Sequence, residues 1–349
     1  MSRIRPVILA GGPGDRLWPA SDEHHPKPFL TLDGRRTLIG LTLERLADDA
    51  LFAPPIIACA AGMAEMARAA LTDEGLPPPA FILEPGPRDT AAAIAAITAA
   101  RLAAAPDELV LILPADHMIE DVAAFRAACA RGAEVAVTGR FVLFGVAPTT
   151  PHTGFGYIHV DGTSDIADMI AFEEKPDQAT AEAYLADGAH LWNAGMFMAT
   201  AAVFADAFAD HAPDIFAAAS RAVAKAETRG DALMLDPAAF DTARKAPFDT
   251  AVVESLPAAA VVRLSCGWND VGAWDAVYDL LPHDAQGNAT VGAVALLDTE
   301  GVLASTSGPA IAALGVTDIA IIASPRGVLV CPRSQAQRVK ELIARLGET

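Results

Sequence analysis

Residues 6–19 read PVILAGGPGDRLWP, and this stretch indicates how the fold begins. The apolar run Val7 to Ala10 predicts a buried strand. The strand leads directly into a loop with three glycines in four positions, Gly11, Gly12 and Gly14. Because glycine has no Cβ, the backbone N–H groups of such a loop come close to a ligand and form a concave site for an anion.

Two cations, Arg16 and Lys27, follow this loop, and both suit phosphate oxygens. The standard glycine signatures do not fit. Leu17 stands where a G-x-G-x-x-G fingerprint needs its last glycine, and no Gly-Lys-Ser/Thr follows. The stretch therefore predicts a cradle for a nucleoside triphosphate, with a purely structural turn as the alternative.

Length, charge and cysteine usage narrow the class of protein. A chain of 349 residues exceeds one ordinary domain of roughly 100–200 residues, so one large and one small domain are expected. A net charge of −19 argues against nucleic acid and anionic membranes as partners, because both need clustered basic residues. No apolar run approaches the ~20 residues of a membrane span. The four cysteines have neither zinc-site nor disulfide spacing, and no signal peptide is evident, so a cytoplasmic location is expected.

Strand-like runs alternate with helical patterns as far as a strand at Phe141–Gly145. This alternation predicts an α/β fold of the Rossmann-like kind, a mostly parallel, mixed sheet flanked by helices. Ligands bind outside the carboxyl ends of the strands in such sheets. Residues from about 150 to 275 are predicted to belong to the same domain, with one long helical span from about Ala201 to Ala226.

The pattern changes near residue 287. Short apolar runs at near-regular spacing, beginning with Val291–Leu297, predict a small β module, a partial β-helix. A helix from Ser334 to Leu346 closes the chain, with its Arg- and Lys-rich face expected to be solvated. The predicted domains are residues 1–285, which carry the chemistry, and residues 286–349.

Two aspartates follow predicted strands or turns. Asp116 lies in the run LPADH at 113–117, which ends a predicted buried strand, and Asp270 lies in the glycine-flanked turn GWNDVGAW at 267–274. Carboxylate oxygens are the ligands that Mg²⁺ prefers together with substrate phosphates. The two side chains would hold one Mg²⁺ on a triphosphate if they converge. For Asp116, a helix cap is the alternative.

Three further motifs suit a base and a sugar phosphate. In EPGPRDT at 84–90, Asp89 or Thr90 either caps the next helix or accepts the two donors of guanine, and both interpretations stay open. Glu173, Lys175 and Asn193 are residue types that bind sugar hydroxyls and a sugar phosphate. No Ser/His/Asp set or reactive cysteine is evident, which suits nucleotidyl transfer, since that reaction needs no enzyme nucleophile.

The motifs occur together and in order. The sequence resembles the mannose-1-phosphate guanylyltransferases over nearly the whole chain, through residues 9–19, 26–30, 114–117, 153–158, 172–176, 192–197 and 268–274. The segments 248–254 and 287–290 look like further landmarks of that family. The resemblance implies a nucleotide-diphospho-sugar transferase fold followed by a short left-handed β-helix. It also implies the reaction of GTP with mannose 1-phosphate to GDP-mannose and pyrophosphate, dependent on Mg²⁺.

By position, the resemblance assigns roles to residues of this chain. The catalytic cations would be Arg16, Lys27 and Lys175. The metal ligands would be Asp116 and Asp270. The nucleotide would contact Leu9, Ala10, Gly11, Gly12, Gly14, Asp15, Arg88, Asp89, Thr90 and Asp116. The sugar phosphate would contact Gly154, Tyr157, Glu173, Lys175 and Asn193.

Three positions depart from the family pattern. Asp15 replaces the usual Thr, Asp22 replaces the usual Arg and removes a cation near the mouth, and Asp89 replaces the usual Asn. A carboxylate beside phosphates is repelled unless it faces a cation. We therefore hypothesise that Asp15 pairs with Arg16 or Lys27, or reaches the metal.

Bifunctional relatives carry an added isomerase domain, so a chain that ends at Thr349 is expected to be the short, single-activity form. By analogy the β module is a candidate dimer contact and a homodimer a candidate assembly. Two alternatives remain open. One is a related transferase for another base or hexose, and the other is a non-catalytic sensor of nucleotide sugars.

Overall fold

The computed structural model describes residues 3–11, 15–22, 24–32, 34–77 and 79–346, with Asp15 described at its backbone only. The strands of the first half are β1 (Arg5–Ala10), β2 (Ile56–Ala60), β3 (Ala80–Glu84), β4 (Leu109–Pro114), β5 (Met118–Ile119) and β6 (Val142–Val146). The helices between them are α1 (Leu38–Arg45), α2 (Ala64–Asp73), α3 (Asp89–Ala104) and α4 (Val122–Ala136). Short 3₁₀ turns at Asp15–Leu17 and Lys27–Phe29 follow β1.

The middle of the chain adds strands and helices to the same body. The strands are β7 (Gly156–Asp161), β8 (Ile166–Glu174), β9 (His190–Thr200), β10 (Glu227–Arg229), β11 (Ala232–Met234), β12 (Ala260–Leu264) and β13 (Trp268–Asn269). The helices are α5 (Gln178–Asp187), α6 (Ala201–His211), α7 (Pro213–Ala224), α8 (Pro237–Phe240), α9 (Phe248–Ala251) and α10 (Trp274–Leu280).

Within the described residues eleven of these thirteen strands form one mixed sheet in the order β10-β11-β3-β2-β1-β4-β9-β6-β12-β8-β7, and β5 pairs separately with β13. The run from β11 to β4 is parallel, as the alternation of strands and helices predicts. Strand β9 runs antiparallel to both of its neighbours, β4 and β6, and β7 pairs antiparallel with β8. The α/β class is confirmed, but parallel pairing is confined largely to one half, because the short connection between β7 and β8 allows only an antiparallel pair.

The core lies on both faces of the sheet. Val7 and Ile112 belong to one buried cluster, whereas Ile8 and Leu111 belong to the other. Successive residues of a strand point to opposite faces, so the fully apolar runs found in the sequence are those of strands covered on both sides. The parallel central strands end at one edge, with Leu9 opposite Pro114 and Ala60 opposite Glu84.

Two predicted elements differ from the structure. The single helix expected from about Ala201 to Ala226 is α6 followed by α7, and the break falls just before Pro213. Proline has no N–H and disfavours helical backbone in the residue before it, so it starts a new helix more readily than it continues one. The strand expected at Val291–Leu297 is likewise split, because Gly292 lies between two strands with φ +84°.

The last part of the chain, residues 289–346, is called the C-terminal module below. It contains β14 (Ala289–Val291), β15 (Val294–Leu297), β16 (Leu303–Thr306), β17 (Ile311–Leu314), β18 (Ile319–Ser324), β19 (Gly327–Pro332) and α11 (Val339–Leu346). Parallel pairing of β14 with β16, β16 with β18 and β15 with β17 stacks successive turns of chain, as in a β-helix. The predicted closing helix is a 3₁₀ segment, Arg333–Arg338, followed by α11.

Two findings bear on the expectations from composition. No helix within the described ranges is long and apolar enough to cross a membrane. Cys59, Cys129, Cys266 and Cys331 are all buried as free thiols.

Candidate active site

A cavity of about 330 Å³ opens beside the carboxyl ends of β1 and β4 and is called the phosphate cavity below. Its lining consists mostly of charged side chains: Arg16, Lys27, Asp116, His117, Asp270, Gly272 and Lys340. The structure thus brings together both predicted metal ligands and two of the three predicted catalytic cations. A concentration of charge in a concave site suits a polyanion together with a cation.

The small antiparallel pair of β5 with β13 explains why Asp116 and Asp270 meet. Met118 lies opposite Asn269 in this pair. Strand β5 begins directly after His117, and β13 ends directly before Asp270. The pairing therefore brings together two segments that lie far apart in the sequence.

Lys27 joins the two aspartate segments. Its Nζ lies 2.9 Å from Oδ2 of Asp116 and donates a 2.5 Å hydrogen bond to the backbone carbonyl of Asp270. The Lys27 residue is only 8% exposed, so this contact is shielded from water. Burial raises the pKa of Asp116, but the Lys27 ammonium opposes this effect, and the pKa lies below its ordinary value. The Asp116 carboxylate is accordingly ionised at neutral pH. Its alternative role as a helix cap is not present, because Asp121 caps the next helix, α4.

The turn that carries Asp270 is held in a rare backbone conformation. Val271 has φ +52°, which a β-branched residue seldom adopts, and it is fully buried. Asn269 Oδ1 accepts a hydrogen bond from Val271 N at 2.7 Å, and Asp270 Oδ1 accepts one from Gly272 N at 3.1 Å. Such strain persists where the surroundings over-determine it, so the Asp270 carboxylate is held in one place.

His117 forms a neutral wall between two cavities. Trp268 Nε1–H donates to His117 Nδ1 at 3.1 Å, which requires an unprotonated Nδ1. Burial lowers the pKa of His117 to about 4, despite the opposing effect of Asp116. The imidazole is therefore uncharged at neutral pH.

A second cavity, of about 530 Å³, adjoins the first and shares Asp116 and His117 with it. It is called the base-and-sugar cavity below. Apolar atoms from the ends of β1, β2, β3 and β9 make up most of its wall, including Leu9, Ala58, Ala60 and Phe197. Its polar lining includes Glu84, Arg88, Asp89, Thr90, Lys245 and Asp249. An apolar cleft with a few convergent polar groups is typical of a site for a small molecule.

The predicted nucleotide residues reach this cavity in different ways. Gly11 lines it, and a Cβ built at Gly11 would have no atom of the described residues within 4 Å apart from its chain neighbours. Ala10 is the buried last residue of β1. Gly12, Gly14 and the side chain of Asp15 lie outside the described residues, so the hypothesis for Asp15 stays a hypothesis.

The side-chain cap that the sequence predicts at the start of α3 is not formed at the N-cap position of this helix. Asp89 is the first helical residue, with φ +64°, and its Oδ1 accepts from Thr90 N at 2.9 Å. Thr90 Oγ1 accepts from Phe248 N at 2.8 Å, and Arg88 pairs with Asp241 at 3.0 Å. These contacts fasten the rim of the base-and-sugar cavity.

Two carboxyl groups in this cavity were assigned no role from the sequence, although both lie in motifs noted there. Burial raises the pKa of Glu84, the last residue of β3, to about 7. Burial and then Glu174 raise the pKa of Asp249 to about 6, while Asn193 donates to Asp249 Oδ1 at 2.7 Å. Perturbed carboxyls in a cleft mark candidate functional residues. The signal that could have found Glu84 is a carboxylate ending a buried strand at the ligand edge.

Among the described residues, none of the five predicted sugar-phosphate residues lines either cavity, and Asn193 reaches the larger one only through its hydrogen bond to Asp249. The other four are Gly154, Tyr157, Glu173 and Lys175. Tyr157 is buried and donates to the carbonyl of His152. Glu173 accepts from the Tyr184 hydroxyl at 2.5 Å, whereas Lys175 pairs with Glu174 at 2.6 Å. Because neighbouring strand residues point to opposite faces, it is Glu174 that lies on the Asp249 side. The roles assigned to these residues stay predictions.

Comparison with known proteins agrees with this geometry. Residues 5–287 match the nucleotidyl transferase family, and residues 292–346 match the "MannoseP isomerase/GMP-like beta-helix domain". The mannose-1-phosphate guanylyltransferase of Escherichia coli is 35% identical, with 99% of this chain and 74% of that protein covered. The alginate biosynthesis protein AlgA of Pseudomonas aeruginosa is 37% identical, over 98% of this chain and 72% of that protein.

A solved structure is similar along the same length. The crystal structure described as mannose-1-phosphate geranyltransferase of Thermus thermophilus superposes with a TM-score of 0.86 at 32% identity, and 99% of each chain is covered. This similarity extends through both the sheet domain and the C-terminal module. The chain therefore belongs to the nucleotidyl transferase family and, within it, to the group that contains the mannose-1-phosphate guanylyltransferases.

Proposed function

We propose that this protein transfers a guanylyl group from GTP to mannose 1-phosphate and releases pyrophosphate. The observation that carries the proposal is the pair of adjoining cavities, which share Asp116 and His117. The charged cavity suits a triphosphate, and the larger, mostly apolar one suits a base and a sugar. The names of the relatives in Escherichia coli and Pseudomonas aeruginosa support the choice of substrates.

In the proposed reaction an oxygen of mannose 1-phosphate attacks the α-phosphorus of GTP. A new P–O bond forms as the bond between the α-phosphorus and the bridging oxygen breaks, and that oxygen leaves with pyrophosphate. Catalysis then consists of positioning and charge stabilisation. Lys27 and Arg16 offset the charge that develops on pyrophosphate, and Lys175 is proposed to hold the attacking phosphate once substrate draws it from Glu174.

The proposed metal is Mg²⁺. Among the described residues no group of three or more His, Cys, Asp and Glu side chains is arranged to hold a metal ion. Asp116 and Asp270 nevertheless line one cavity, and two carboxylates completed by phosphate oxygens and water are a usual set for Mg²⁺. The residues thus fit the ion, which would supply charge stabilisation at the phosphates.

Glu84 is the proposed reader of the guanine edge, with Asp89 beside it. Guanine presents two neighbouring donors, N1–H and the N2 amine, and one ionised carboxylate accepts both. Since burial raises the pKa of Glu84 to about 7, guanine binding is expected to require loss of a proton near neutral pH.

We expect the affinity for GDP-mannose to rise as the pH increases from about 6 to about 8, and the part of this dependence that is centred near pH 7 to be lost in Glu84→Gln, whereas any part centred near pH 6 belongs to Asp249. The variant should also bind about 10–100-fold more weakly at the upper pH, because it loses hydrogen bonds to a charged acceptor. GDP-mannose is the appropriate ligand, since its diphosphate does not titrate in this range. Calorimetric titration of both proteins checks the prediction, and an unchanged pH profile in the variant would exclude Glu84 as the reader.

The same pKa shift makes the stability of the ligand-free protein depend on pH in the opposite direction to the affinity, so that stability falls as the pH rises. Because the folded-state pKa of Glu84 lies above the ordinary 4.5, its contribution to stability is present below about pH 4.5 and is lost as the pH rises through about 7. Thermal unfolding of the ligand-free proteins at the two ends of this range therefore provides a second readout.

Gly11→Ala should weaken nucleotide binding ~10-fold or more while leaving the fold intact. The added Cβ has no atom of the described residues beyond its chain neighbours within 4 Å, so we expect a ligand approaching the backbone to be displaced. Gly62→Ala is the matched control, because its Cβ also has open space and Gly62 lines neither described cavity. Equal GTP affinities in the two variants, with unchanged melting temperatures, would contradict a nucleotide at Gly11.

The proposed function itself is tested by pyrophosphate release from a panel of nucleoside triphosphates and hexose 1-phosphates with Mg²⁺. Turnover with GTP and mannose 1-phosphate is the expected result. Turnover only with another pair would identify a related transferase. No turnover with any pair, together with tight binding of GDP-mannose, would identify a sensor.

Three further points remain proposals. The division into residues 1–285 and 286–349 and the cytoplasmic location follow from the sequence. For the homodimer, two exposed leucines of the C-terminal module, Leu297 and Leu314, lie opposite each other on β15 and β17 and offer an apolar contact.

A further inference from the structure

One residue of the phosphate cavity comes from outside the nucleotidyl transferase region. Lys340 lines this cavity together with Arg16 and Lys27, yet it lies on α11 in the C-terminal module. The sequence pattern predicts that the basic face of this helix is merely solvated. The structure instead places its lysine, Lys340, at the cavity proposed to hold a triphosphate.

The position of Lys340 is set by the residue before it. Val339 is 1% exposed and packs in a core cluster with Leu17, Val271 and Trp274, and Ile343 packs against that cluster one turn later. Leu17 closes the 3₁₀ turn that carries Arg16, and Val271 follows Asp270. The core that anchors α11 is therefore the core that anchors two sides of the phosphate cavity.

The C-terminal module also holds the segment just after Arg16. Ser324 Oγ donates to the carbonyl of Pro19 at 2.8 Å, and Arg326 Nε lies 2.9 Å from Oδ2 of Asp22. Asp22 is the residue that departs from the family pattern by removing a cation from the mouth. In this chain it forms an ion pair across to Arg326, so the module and the loop are fastened by charge as well as by packing.

A third cation, besides Arg16 and Lys27, would help to offset the negative charge of a triphosphate in this cavity. Lys27 is shared between the Asp116 carboxylate and the carbonyl of Asp270, so part of its charge is already offset. The β- and γ-phosphates of GTP, and the pyrophosphate that they become, carry several negative charges. The ammonium of Lys340, which lines the cavity, suits such a ligand because lysine acts on phosphate as a point charge.

We propose that Lys340 binds the β- and γ-phosphates of GTP, so that the C-terminal module completes the pyrophosphate subsite. This inference rests on the proposed function and adds a residue to the same site. It assigns the module a direct part in substrate binding rather than only a structural one.

The test compares ligands that differ only in their phosphates. Lys340→Gln should weaken GTP binding about tenfold and leave GMP binding unchanged, because only GTP reaches the pyrophosphate subsite. In the reverse reaction KM for pyrophosphate should rise by a similar factor, while KM for GDP-mannose stays constant. Lys340→Arg should recover part of the loss, since it retains the charge.

Lys225→Gln is the matched control, because Lys225 is an exposed lysine beyond the end of α7. It should leave the affinities for GTP, GMP and pyrophosphate unchanged. Equal losses of GTP and GMP in Lys340→Gln would indicate a merely structural role and overturn the proposal, as would unchanged GTP binding.

The binding measurements distinguish a failure of the proposal for Lys340 from a failure of the proposed function. If the wild-type protein binds GTP and GMP but turns over no substrate pair, the proposed function fails while the ratio of GTP to GMP affinity still tests Lys340. If turnover is normal and this ratio is the same in Lys340→Gln and wild type, only the proposal for Lys340 fails.

Discussion

Replacing Lys27 by glutamine is expected to lower kcat about 10²–10³-fold, the usual cost of removing one preorganised charge-stabilising donor. The ammonium is the direct link between Asp116 and the Asp270 turn, with contacts of 2.9 and 2.5 Å. Glutamine keeps a donor but loses the positive charge beside the departing pyrophosphate. The segments that carry Asp116 and Asp270 would then also lose the Lys27 contacts that join them, although the pairing of β5 with β13 remains.

The measurement is steady-state turnover of GTP and mannose 1-phosphate, with thermal unfolding and GDP-mannose binding as checks on the fold. Lys225→Gln serves again as the control for loss of one lysine. Lys27→Arg should not restore full activity, because a planar guanidinium does not reproduce the compact ammonium between two oxygens. Turnover within a few-fold of wild type in Lys27→Gln would remove Lys27 from the reaction.

Asp270→Asn should reduce kcat by at least ~100-fold, since stabilisation by a bound metal ion contributes several kcal/mol. The substitution is nearly isosteric, and the asparagine Oδ1 still accepts from Gly272 N, as Asp270 does at 3.1 Å. Lys27 contacts the backbone carbonyl of Asp270 rather than its side chain, so that contact is retained. What the variant loses is one negative charge in the phosphate cavity.

The concentration of Mg²⁺ needed for half-maximal rate should rise together with the fall in kcat. Asp210→Asn is the control for the loss of one carboxylate, because Asp210 is an exposed aspartate on α6. A near-wild-type rate and an unchanged Mg²⁺ requirement in Asp270→Asn would show that the metal is held elsewhere.

The central strands and the position of Asp116 at the ligand edge of the sheet were predictable because they depend on local sequence. An apolar run followed by a glycine loop specifies a buried strand that ends at a ligand edge, and the parallel neighbours end at the same edge. Gly11 and Asp116 were therefore recognised before any contact was known. Asp270 was named from its glycine-flanked turn, but no local rule connects it to Asp116, and the resemblance to a family was needed to pair the two.

Other parts of the site depend on contacts between distant segments. The sequence FEEKP offers Glu173 and Glu174 equally, and the strand pleat decides which one faces Asp249. Glu84 becomes notable only when burial raises its pKa to about 7. The ion pair of Asp22 with Arg326 joins residues at opposite ends of the chain, so no local pattern predicts it.

By itself, the sequence determined the α/β class, the strand that ends before Arg16 and Lys27, and the β module, because periodicity and turn chemistry act over a few residues. Only the tertiary structure decided that Lys27 bridges Asp116 to the Asp270 turn and that Lys340 reaches the same cavity. The physical reason is that packing brings these residues together across long stretches of chain. Side-chain direction is then set by the pairing of β5 with β13 and by the shared core under α11.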